Sequence, residues 1–191
     1  MTAEILAIGD ELLIGQVVNG NAAWLGERLT LAGIDVSRHV ALGDDPDLIA
    51  AELETAFGLA DLVIVTGGLG ATHDDLTRSA VAQHFGVELV EDPKVRRQIE
   101  QRFTARVRSM PPQNQLQALV PEGFEVLVNH WGTAPGLWHT FERDGLDKVL
   151  VLMPGVPREM RNLTDAHVMP RLAKQRGLRT IRHRTLMTAG I

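Results

Sequence analysis

The sequence predicts an α/β fold built on a mainly parallel sheet. Short apolar runs alternate with longer amphipathic runs through the first half of the chain, which is the pattern of β-α-β units. The run DLVIVTG, residues 61–67, has an unbroken apolar and β-branched centre, so we expect a strand buried on both faces. A glycine-rich turn and a helical pattern follow this strand, as they do where open α/β sheets bind ligands.

Two β-α units are predicted before this buried strand. Asn21 is a candidate N-cap for the first helix, and Gly33 is a stop signal at its end. Asp45 and Pro46 suit the N-cap and first position of the second helix, and Gly58 suits its end. The expected order is a strand over 3–9, a helix over 21–33, a strand over 34–42, a helix over 45–58 and the strand over 61–67.

The second half predicts an inserted subdomain between regular elements. A helix is expected from near Asp74 to just before Gly86. The insert combines a basic helical run over 93–108 with an irregular, proline-containing run over 110–123. We then expect hairpin strands around 136–141 and 148–153, joined through Asp144-Gly145, and a helix from Pro157 to about Lys174. We interpret 1–174 as one domain and 175–191 as the start of a following segment of a longer protein.

The composition excludes several classes of function. The formal charge of −5 is spread without a basic block, which argues against nucleic-acid binding. The absence of cysteine excludes thiolate metal sites and cysteine nucleophiles, so oxygen and imidazole ligands remain. The N-terminus lacks the basic region of a signal peptide, and no run of about 18 apolar residues occurs. We therefore expect a cytoplasmic protein without a membrane partner.

The turn formed by Gly67, Gly68, Leu69 and Gly70 is the strongest candidate for a ligand site. Glycines let main-chain N–H groups approach a phosphate, and the following helix N-terminus adds partial positive charge. His73 stands where a dinucleotide motif needs its third glycine, and no Gly-Lys-Ser/Thr follows, so NAD and P-loop ATPase functions are excluded. The alternative interpretation is a tight turn that binds nothing.

Paired carboxylates follow this turn and allow two interpretations. Thr72 and Asp75 have the spacing of a capping box, and acidic residues such as Asp74 are favourable in the first turn of a helix. Alternatively, one of the aspartates holds Mg²⁺ or a similar cation that bridges to ligand phosphates. Asp10 and Glu11 follow the first strand and should face the same crevice.

Three further segments offer ligand contacts. Asn21 suits a sugar or base contact as well as a helix cap. Gly132 and Thr133 lie in a glycine- and proline-containing loop that suits closure over a ligand or a purely structural turn. Gly155 and Arg158 lie at another strand-turn-helix junction, where Arg158 pairs with phosphate or is simply solvated.

Four motifs occur in order along the chain: GDELLIGQVVNGNAAWL, VTGGLGATHDDLTRSAV, NHWGTAPG and LMPGVPREM. Together they resemble the N-terminal domain of the CinA, or competence/damage-inducible, family within the MoaB/MogA-like molybdopterin-binding fold. The resemblance implies a three-layer α/β/α fold, a pocket at the strand ends, and dimers or trimers. Asp75 matches the aspartate of the molybdopterin branch, and Asp74 is the extra acidic residue of the CinA branch. Ala71 and Gly20 depart from the usual CinA pattern.

The resemblance also implies hydrolysis of ADP-ribose to AMP and ribose 5-phosphate, or else binding of a molybdopterin. The leading hypothesis is a metal-dependent nucleotide-sugar pyrophosphatase that uses Mg²⁺, Mn²⁺ or Co²⁺. The alternatives are a nucleotide- or pterin-binding module without hydrolysis and a scaffold for oligomerisation. In the leading hypothesis Asp74 and Asp75 are catalytic or metal ligands, Glu11 and Asp10 support the metal, and the ligand contacts are Gly67, Gly68, Leu69, Gly70, Thr72, Asn21, Gly132, Thr133, Gly155 and Arg158.

Overall fold

The computed structural model describes residues 1–72, 74–105 and 110–174. The part of the expected insert helix beyond 105, and the segment 175–191 that we assigned to a following unit, lie outside these described residues. The described chain forms a six-stranded sheet, a separate two-stranded sheet and helices on both faces of the larger sheet.

The elements up to the glycine-rich turn follow the expected β-α alternation. The apolar residues of β3 are buried along its whole length, as expected for a strand covered on both faces. The elements are β1 (Thr2–Ile8), α1 (Asp10–Leu13), α2 (Gly20–Leu31), β2 (Asp35–Leu42), α3 (Pro46–Leu59) and β3 (Leu62–Thr66).

The second half contains the expected insert and hairpin. The insert comprises one α-helix, a 3₁₀-helix and two short paired strands, and it has a small core of its own. The elements are α4 (Thr77–Phe85), β4 (Leu89–Glu91), α5 (Pro93–Thr104), the 3₁₀-helix (Pro112–Ala118), β5 (Leu119–Pro121), β6 (Glu125–Leu127), β7 (Gly136–Arg143), β8 (Leu146–Met153), α6 (Pro157–Leu163), a π-helical turn (Thr164–Val168) and α7 (Met169–Leu172).

The main sheet has the strand order β2-β1-β3-β8-β7-β6. The pairs β1-β2, β1-β3 and β3-β8 are parallel, whereas β7 and β6 continue the sheet in antiparallel pairs. The prediction of a mainly parallel sheet is confirmed. This order brings the carboxyl ends of four parallel strands, β2, β1, β3 and β8, to one edge of the sheet.

Apolar side chains bury both faces of the sheet, so the expected three-layer arrangement is confirmed. One face packs against α3 and α4 through residues such as Leu53, Phe57 and Val81. The other face packs against α2 and α6 through residues such as Leu25 and Met160. Full burial of one such side chain contributes roughly 1.5–3 kcal/mol, so these two cores fix the sheet and the loops at its ends.

Three predicted helix ends are wrong. Asn19 caps α2, because its side chain accepts a hydrogen bond from the Ala22 amide, and Asn21 lies inside the first turn. Gly58 is helical and does not stop α3. The helix after the glycine-rich turn begins at Thr77 instead of Asp74. At the start of α2, Asn19 and Asn21 are both able to cap the helix, and tertiary contacts decide which of them does so.

The last predicted helix is also interrupted. A π-helical turn separates α6 from α7, and Pro170 follows in the first turn of α7. Proline has no N–H to donate to the preceding turn, so a local change of helical hydrogen bonding accompanies it. Within the described ranges, no helix is both long and apolar enough to cross a bilayer.

Candidate functional site

The carboxyl ends of the parallel strands open into a cavity of about 480 Å³, which we call the strand-end cavity. Residues from the first, second, third and fourth sequence motifs line it together, so the structure unites segments far apart in the chain. Among the predicted site residues, the lining includes Asp10, Glu11, Gly67, Gly68, Leu69, Gly70, Thr72, Asp74, Asp75, Thr133 and Gly155.

Two side chains of α4 hold the carbonyl groups of the glycine-rich turn. The Thr77 hydroxyl donates to the Gly67 carbonyl at 2.9 Å, and the Thr77 amide donates to the Gly68 carbonyl at 3.2 Å. The buried Arg78 guanidinium donates to the carbonyls of Leu69 at 2.5 Å and Gly70 at 2.8 Å. Four consecutive carbonyls are therefore directed towards α4.

This anchoring determines where the amide groups of the turn point. The N–H and C=O of a trans peptide point in opposite directions, and the described chain has no cis peptide bond. The amides of Gly68, Leu69 and Ala71 are consequently directed away from α4, and they donate no hydrogen bond to another described residue. Such a group of N–H donors attracts anions. The Gly67 and Gly70 amides are not available, because they donate to the Met153 carbonyl and the Asp75 carboxylate.

Glycine is required at the start of the turn. Gly67 has a φ of +111° and Gly68 a φ of +64°, which L side chains adopt with strain. A Cβ atom at Gly67 would overlap the carbonyl oxygen of Ile8 at the end of β1. The close approach of these two strand ends therefore depends on the missing side chain.

The Asp75 carboxylate closes the turn. Its Oδ1 accepts a hydrogen bond from the Gly70 amide at 2.6 Å, and its Oδ2 accepts from the Thr72 amide at 2.7 Å and the Thr72 hydroxyl at 2.6 Å. The capping-box interpretation is wrong, because no helix begins at Thr72. The geometry gives Asp75 a role in holding the loop, while its assignment as a metal ligand or base stays a prediction.

Six carboxylates line the strand-end cavity, and the described lining residues include no Lys, Arg or His. Burial raises the pKa of Asp44, and the negative charges of Asp10, Glu11 and Asp74 raise it further. A phosphate ligand needs positive charge here to offset this repulsion. The carboxylates are Asp10, Glu11, Asp44, Asp74, Asp75 and Glu159.

Asp44 is a lining residue that sequence reasoning missed. The Asp10 amide donates to the Asp44 carboxylate, and the Asp44 amide donates to the Asp10 carboxylate, each at 3.1 Å. Each aspartate lies two residues beyond the end of a strand, and these strands, β1 and β2, are parallel neighbours, so the strand order places the two side chains close together. The signal for this pair was an acidic residue within two positions of the end of each of the first two predicted strands.

We expect Asp44→Asn to stabilise the chain at neutral pH. The folded-state pKa of Asp44 lies above its ordinary value of 3.8, so the native state binds more protons than the unfolded state in the pH range just above that value. Stability is therefore lost as the pH rises through the raised pKa. Asparagine keeps a hydrogen-bond acceptor but cannot become charged, so its advantage should appear above about pH 4 and persist at pH 7.

Thermal melts of both proteins between pH 3 and pH 8 in a chelating buffer test this expectation. Asp47→Asn is the matched control, because Asp47 is an exposed acid in the first turn of α3 and its replacement should cost a few tenths of a kcal/mol. An Asp44→Asn variant that is equally destabilised at every pH would show that charge repulsion is not the dominant effect at this position.

Asn129 organises the third motif around Glu159. Its side chain is 1% exposed and accepts hydrogen bonds from the Trp131 and Gly132 amides at 2.9 Å. Its amide group donates to the Glu159 carboxylate at 2.7 Å. A Cβ atom at Gly132 would overlap that carboxylate. Gly132 thus gives Glu159 space at the cavity wall but does not line the cavity itself, whereas Thr133 does.

A smaller cavity of about 140 Å³, the side cavity, adjoins the first one and shares Ile8, Glu11 and Gly155 with it. The Asn21 amide donates to the Thr66 hydroxyl at 3.2 Å and the Gly155 carbonyl at 2.8 Å, so Asn21 joins α2 to the ends of β3 and β8. Its Oδ1 atom is buried and has no hydrogen-bond partner among the described residues. The described lining residues are Ala7, Ile8, Glu11, Leu12, Val17, Val18, Asn19, Gly20, Asn21, Thr66, Gly155, Pro157 and Arg161.

Arg158, the arginine selected from the sequence, lines neither of these two cavities. Arg161, three residues later on α6, lines the side cavity. Its guanidinium lies over the Trp24 ring at 5.7 Å from the ring centroid, within cation–π range. Residues three apart lie on neighbouring positions of the same helix face, so the sequence could not show which of the two arginines reaches a cavity.

The donor set suits a hard cation, but it is not a preformed metal centre. Carboxylate oxygens are the ligands that Mg²⁺ and Mn²⁺ accept. In the described part of the chain, no three His, Asp or Glu side chains converge closely enough to hold a metal ion. Cations such as Mg²⁺ often take only one or two carboxylates and complete their coordination with water and ligand phosphates. The residues therefore fit a cation that arrives with its ligand.

A family model described as a probable molybdopterin binding domain matches residues 4–174. A CinA-like protein of Salinibacter ruber is 51% identical over 191 residues, which are 100% of this chain and 46% of that protein. A putative competence-damage inducible protein of Symbiobacterium thermophilum is 44% identical over 193 residues, covering 100% of this chain and 45% of that protein. The chain thus spans about half the length of these curated relatives.

Solved structures with the same fold are similar over most of the chain. The CinA protein of unknown function from Thermoplasma acidophilum has a TM-score of 0.79 and 34% identity, with 88% of this chain and 96% of that chain covered. The molybdopterin biosynthesis enzyme MoaB of Thermus thermophilus has a TM-score of 0.58 and 20% identity, with 90% and 91% covered. The similarity to MoaB, at 20% identity, concerns the fold alone.

Proposed function

Because the chain belongs to the probable molybdopterin-binding domain family and is CinA-like, we propose that it binds a phosphate-bearing pterin or nucleotide in the strand-end cavity. The observation that carries this proposal is the anchored glycine-rich turn. Thr77 and Arg78 hold its carbonyls, which leaves the Gly68 and Leu69 amides at the cavity as donors for phosphate oxygens.

Phosphate binding beside six carboxylates requires a cation. We assign this role to a divalent cation, Mg²⁺, Mn²⁺ or Co²⁺, that would be held through one or both carboxylates of the neighbouring pair Asp10 and Asp44 and completed by water and ligand oxygens. When bound, such a cation supplies positive charge to the phosphate oxygens and Lewis acidity. The raised pKa of Asp44 supports the assignment, because crowded carboxylates gain most from a neutralising cation.

A second candidate function is hydrolysis of a nucleotide sugar such as ADP-ribose to AMP and ribose 5-phosphate. The observation that favours it is the row of carboxylates next to the phosphate-binding turn. Water would attack one phosphorus atom, and the bond from that atom to the bridging oxygen would break. Asp74 is better placed than Asp75 to accept the proton of water, because both Asp75 oxygens already accept hydrogen bonds from the loop.

Incubation with ADP-ribose, with and without Mg²⁺, separates the two candidates. A binding module should raise the melting temperature in the presence of ligand and Mg²⁺, and chromatography should recover intact ADP-ribose. A pyrophosphatase should release AMP only with the metal, and Asp74→Asn should abolish release while keeping ligand-induced stabilisation. Asp147→Asn, an exposed change on β8 far from the cavity, is the control.

The outcome that contradicts both candidates is the absence of any stabilisation by ADP-ribose, AMP or pterins at millimolar concentration. That result would favour the third hypothesis, a scaffold that mediates oligomerisation. The homo-oligomer of two or three chains and the cytoplasmic location stay predictions, and so does any activity of the full-length relatives, which are about twice as long as this chain.

A further inference from the structure

The side cavity has the composition of a pocket for a flat ring. Leu12, Val17 and Val18 give it an apolar wall, and Arg161 contributes a guanidinium group. It adjoins the strand-end cavity, because Ile8, Glu11 and Gly155 line both. A ligand with its phosphate at the glycine-rich turn therefore has an adjoining space of different chemistry.

The two valines are unusually exposed for large apolar side chains. Val17 is 51% exposed and Val18 is 90% exposed, and both border the side cavity. Covering apolar surface contributes about 25 cal/mol for each Å² removed from water, so a ring resting on this wall gains affinity. Ligand pockets typically combine apolar walls of this kind with a few polar groups.

Arg161 supplies the positive group for such a ring. Its guanidinium lies over the Trp24 ring, and it forms no ion pair with a carboxylate in the described part of the chain. Guanidinium groups stack on aromatic faces and donate hydrogen bonds to ring nitrogen and carbonyl acceptors. The contact with Trp24 holds Arg161 at the rim before a ligand arrives.

Asn21 fixes the wall that separates the two cavities. Its hydrogen bonds to the Thr66 hydroxyl and the Gly155 carbonyl hold the ends of β3 and β8 together at the shared edge. The distance between the phosphate-binding turn and the side cavity is thus set by packed strand ends. A rigid spacing of this kind selects ligands in which ring and phosphate are separated by a connector such as a sugar.

We infer that the side cavity binds the flat nitrogen heterocycle of the ligand, with Val17, Val18 and Arg161 as its specificity-determining residues. The inference rests on the proposed function, because it takes the phosphate end to lie at the glycine-rich turn. The shared chemistry is a planar heteroaromatic ring joined through a short connector to phosphate. Both an adenine nucleotide and a pterin phosphate have it.

The test compares ligands with and without the ring by isothermal titration calorimetry in Mg²⁺. AMP and neopterin phosphate are the two ring-bearing probes, and ribose 5-phosphate is the ringless probe. At least one ring-bearing probe should bind about tenfold tighter than ribose 5-phosphate, and the tighter of the two identifies the ring. Equal affinity for all three probes would overturn the inference while leaving phosphate binding intact.

Two variants then locate the ring. The pair Val17→Ser and Val18→Ser, made together, should reduce affinity for the preferred ring-bearing probe about tenfold and leave ribose 5-phosphate unchanged. Both side chains are largely exposed, so folding should be little affected. The control pair, Leu48→Ser with Leu146→Ser, changes similarly exposed apolar residues outside both cavities and should change neither affinity.

Arg161→Gln should reduce affinity for the ring-bearing probe roughly fivefold without affecting ribose 5-phosphate. Arg158→Gln is the matched control on the same helix, because Arg158 lines neither cavity. An equal loss of ribose 5-phosphate binding in Arg161→Gln would show that this residue holds phosphate and would overturn its assignment to the ring.

Failure of the native chain to bind any probe, including inorganic pyrophosphate, would overturn the proposed function and this inference together.

Discussion

Replacing Gly67 by alanine is expected to lower the free energy of unfolding by about 4 kcal/mol. The new Cβ would overlap the Ile8 carbonyl oxygen, which is backbone and cannot rotate away. The φ of +111° would also be strained for any residue with a side chain. Because β1 and β3 are neighbouring core strands, relief of the overlap must separate their ends and distort the glycine-rich turn.

Two other glycines provide matched controls for this substitution. Gly58 lies inside α3 with open space around its Cβ position, so Gly58→Ala should stabilise the chain by about 0.5–1 kcal/mol. Gly86 has a φ of +65° and equally open space, so Gly86→Ala isolates the backbone strain and should cost about 1–2 kcal/mol. Urea denaturation of the three variants checks the order, and a Gly67→Ala loss no larger than that of Gly86→Ala would refute the close-approach argument.

Replacing Arg78 by methionine is expected to cost about 3 kcal/mol of stability and to abolish ligand binding. Arg78 is 5% exposed, and burial lowers the pKa of its guanidinium to about 10. Methionine fills similar space but leaves the Leu69 and Gly70 carbonyls without their donor. Those carbonyls must then turn towards solvent, and the amides of the turn lose their fixed direction.

Arg78→Lys separates charge from geometry. A single ammonium group keeps the positive charge but does not reproduce the planar fork that reaches two carbonyls, so we expect ligand binding to remain severely weakened. Arg97→Met is the control, because Arg97 is exposed and its one side-chain hydrogen bond among the described residues is to the Pro93 carbonyl of its own helix. Its effect should stay within about 0.5 kcal/mol. Full ligand binding by Arg78→Met, measured by ligand-induced thermal stabilisation, would disprove the anchoring role.

The sequence predicted the fold well where the pattern was local and strong. The apolar run of β3, the glycines after it and the hairpin around Asp144-Gly145 each have a signature within a few residues. The parallel strand ends then had to meet at one edge, which is why Asp10, Glu11 and the glycine-rich turn were correctly expected in one crevice.

Contacts between distant segments could not be predicted, because they have no signature within a few residues. Asn19 and Asn21 both suit an N-cap, and only the packing of α2 against β3 and β8 decides that Asn21 turns its side chain to Thr66 and Gly155. The role of Arg78 could not be predicted from the sequence, because it depends on α4 beginning at Thr77. That start places the Arg78 guanidinium within hydrogen-bond distance of the turn. Asp44 was not predicted as a site residue, because its place beside Asp10 depends on β1 and β2 being neighbours in the sheet.

The free amides of the glycine-rich turn are expected to bind phosphate. Amide NMR tests this expectation most directly. In a titration of the ¹⁵N-labelled chain with inorganic pyrophosphate and Mg²⁺, the largest shift changes should occur at Gly68, Leu69 and Ala71, whose amides point away from α4. The Gly67 and Gly70 amides, already bonded within the fold, should change less. Unchanged Gly68, Leu69 and Ala71 signals, with pyrophosphate bound elsewhere or not at all, would contradict the account.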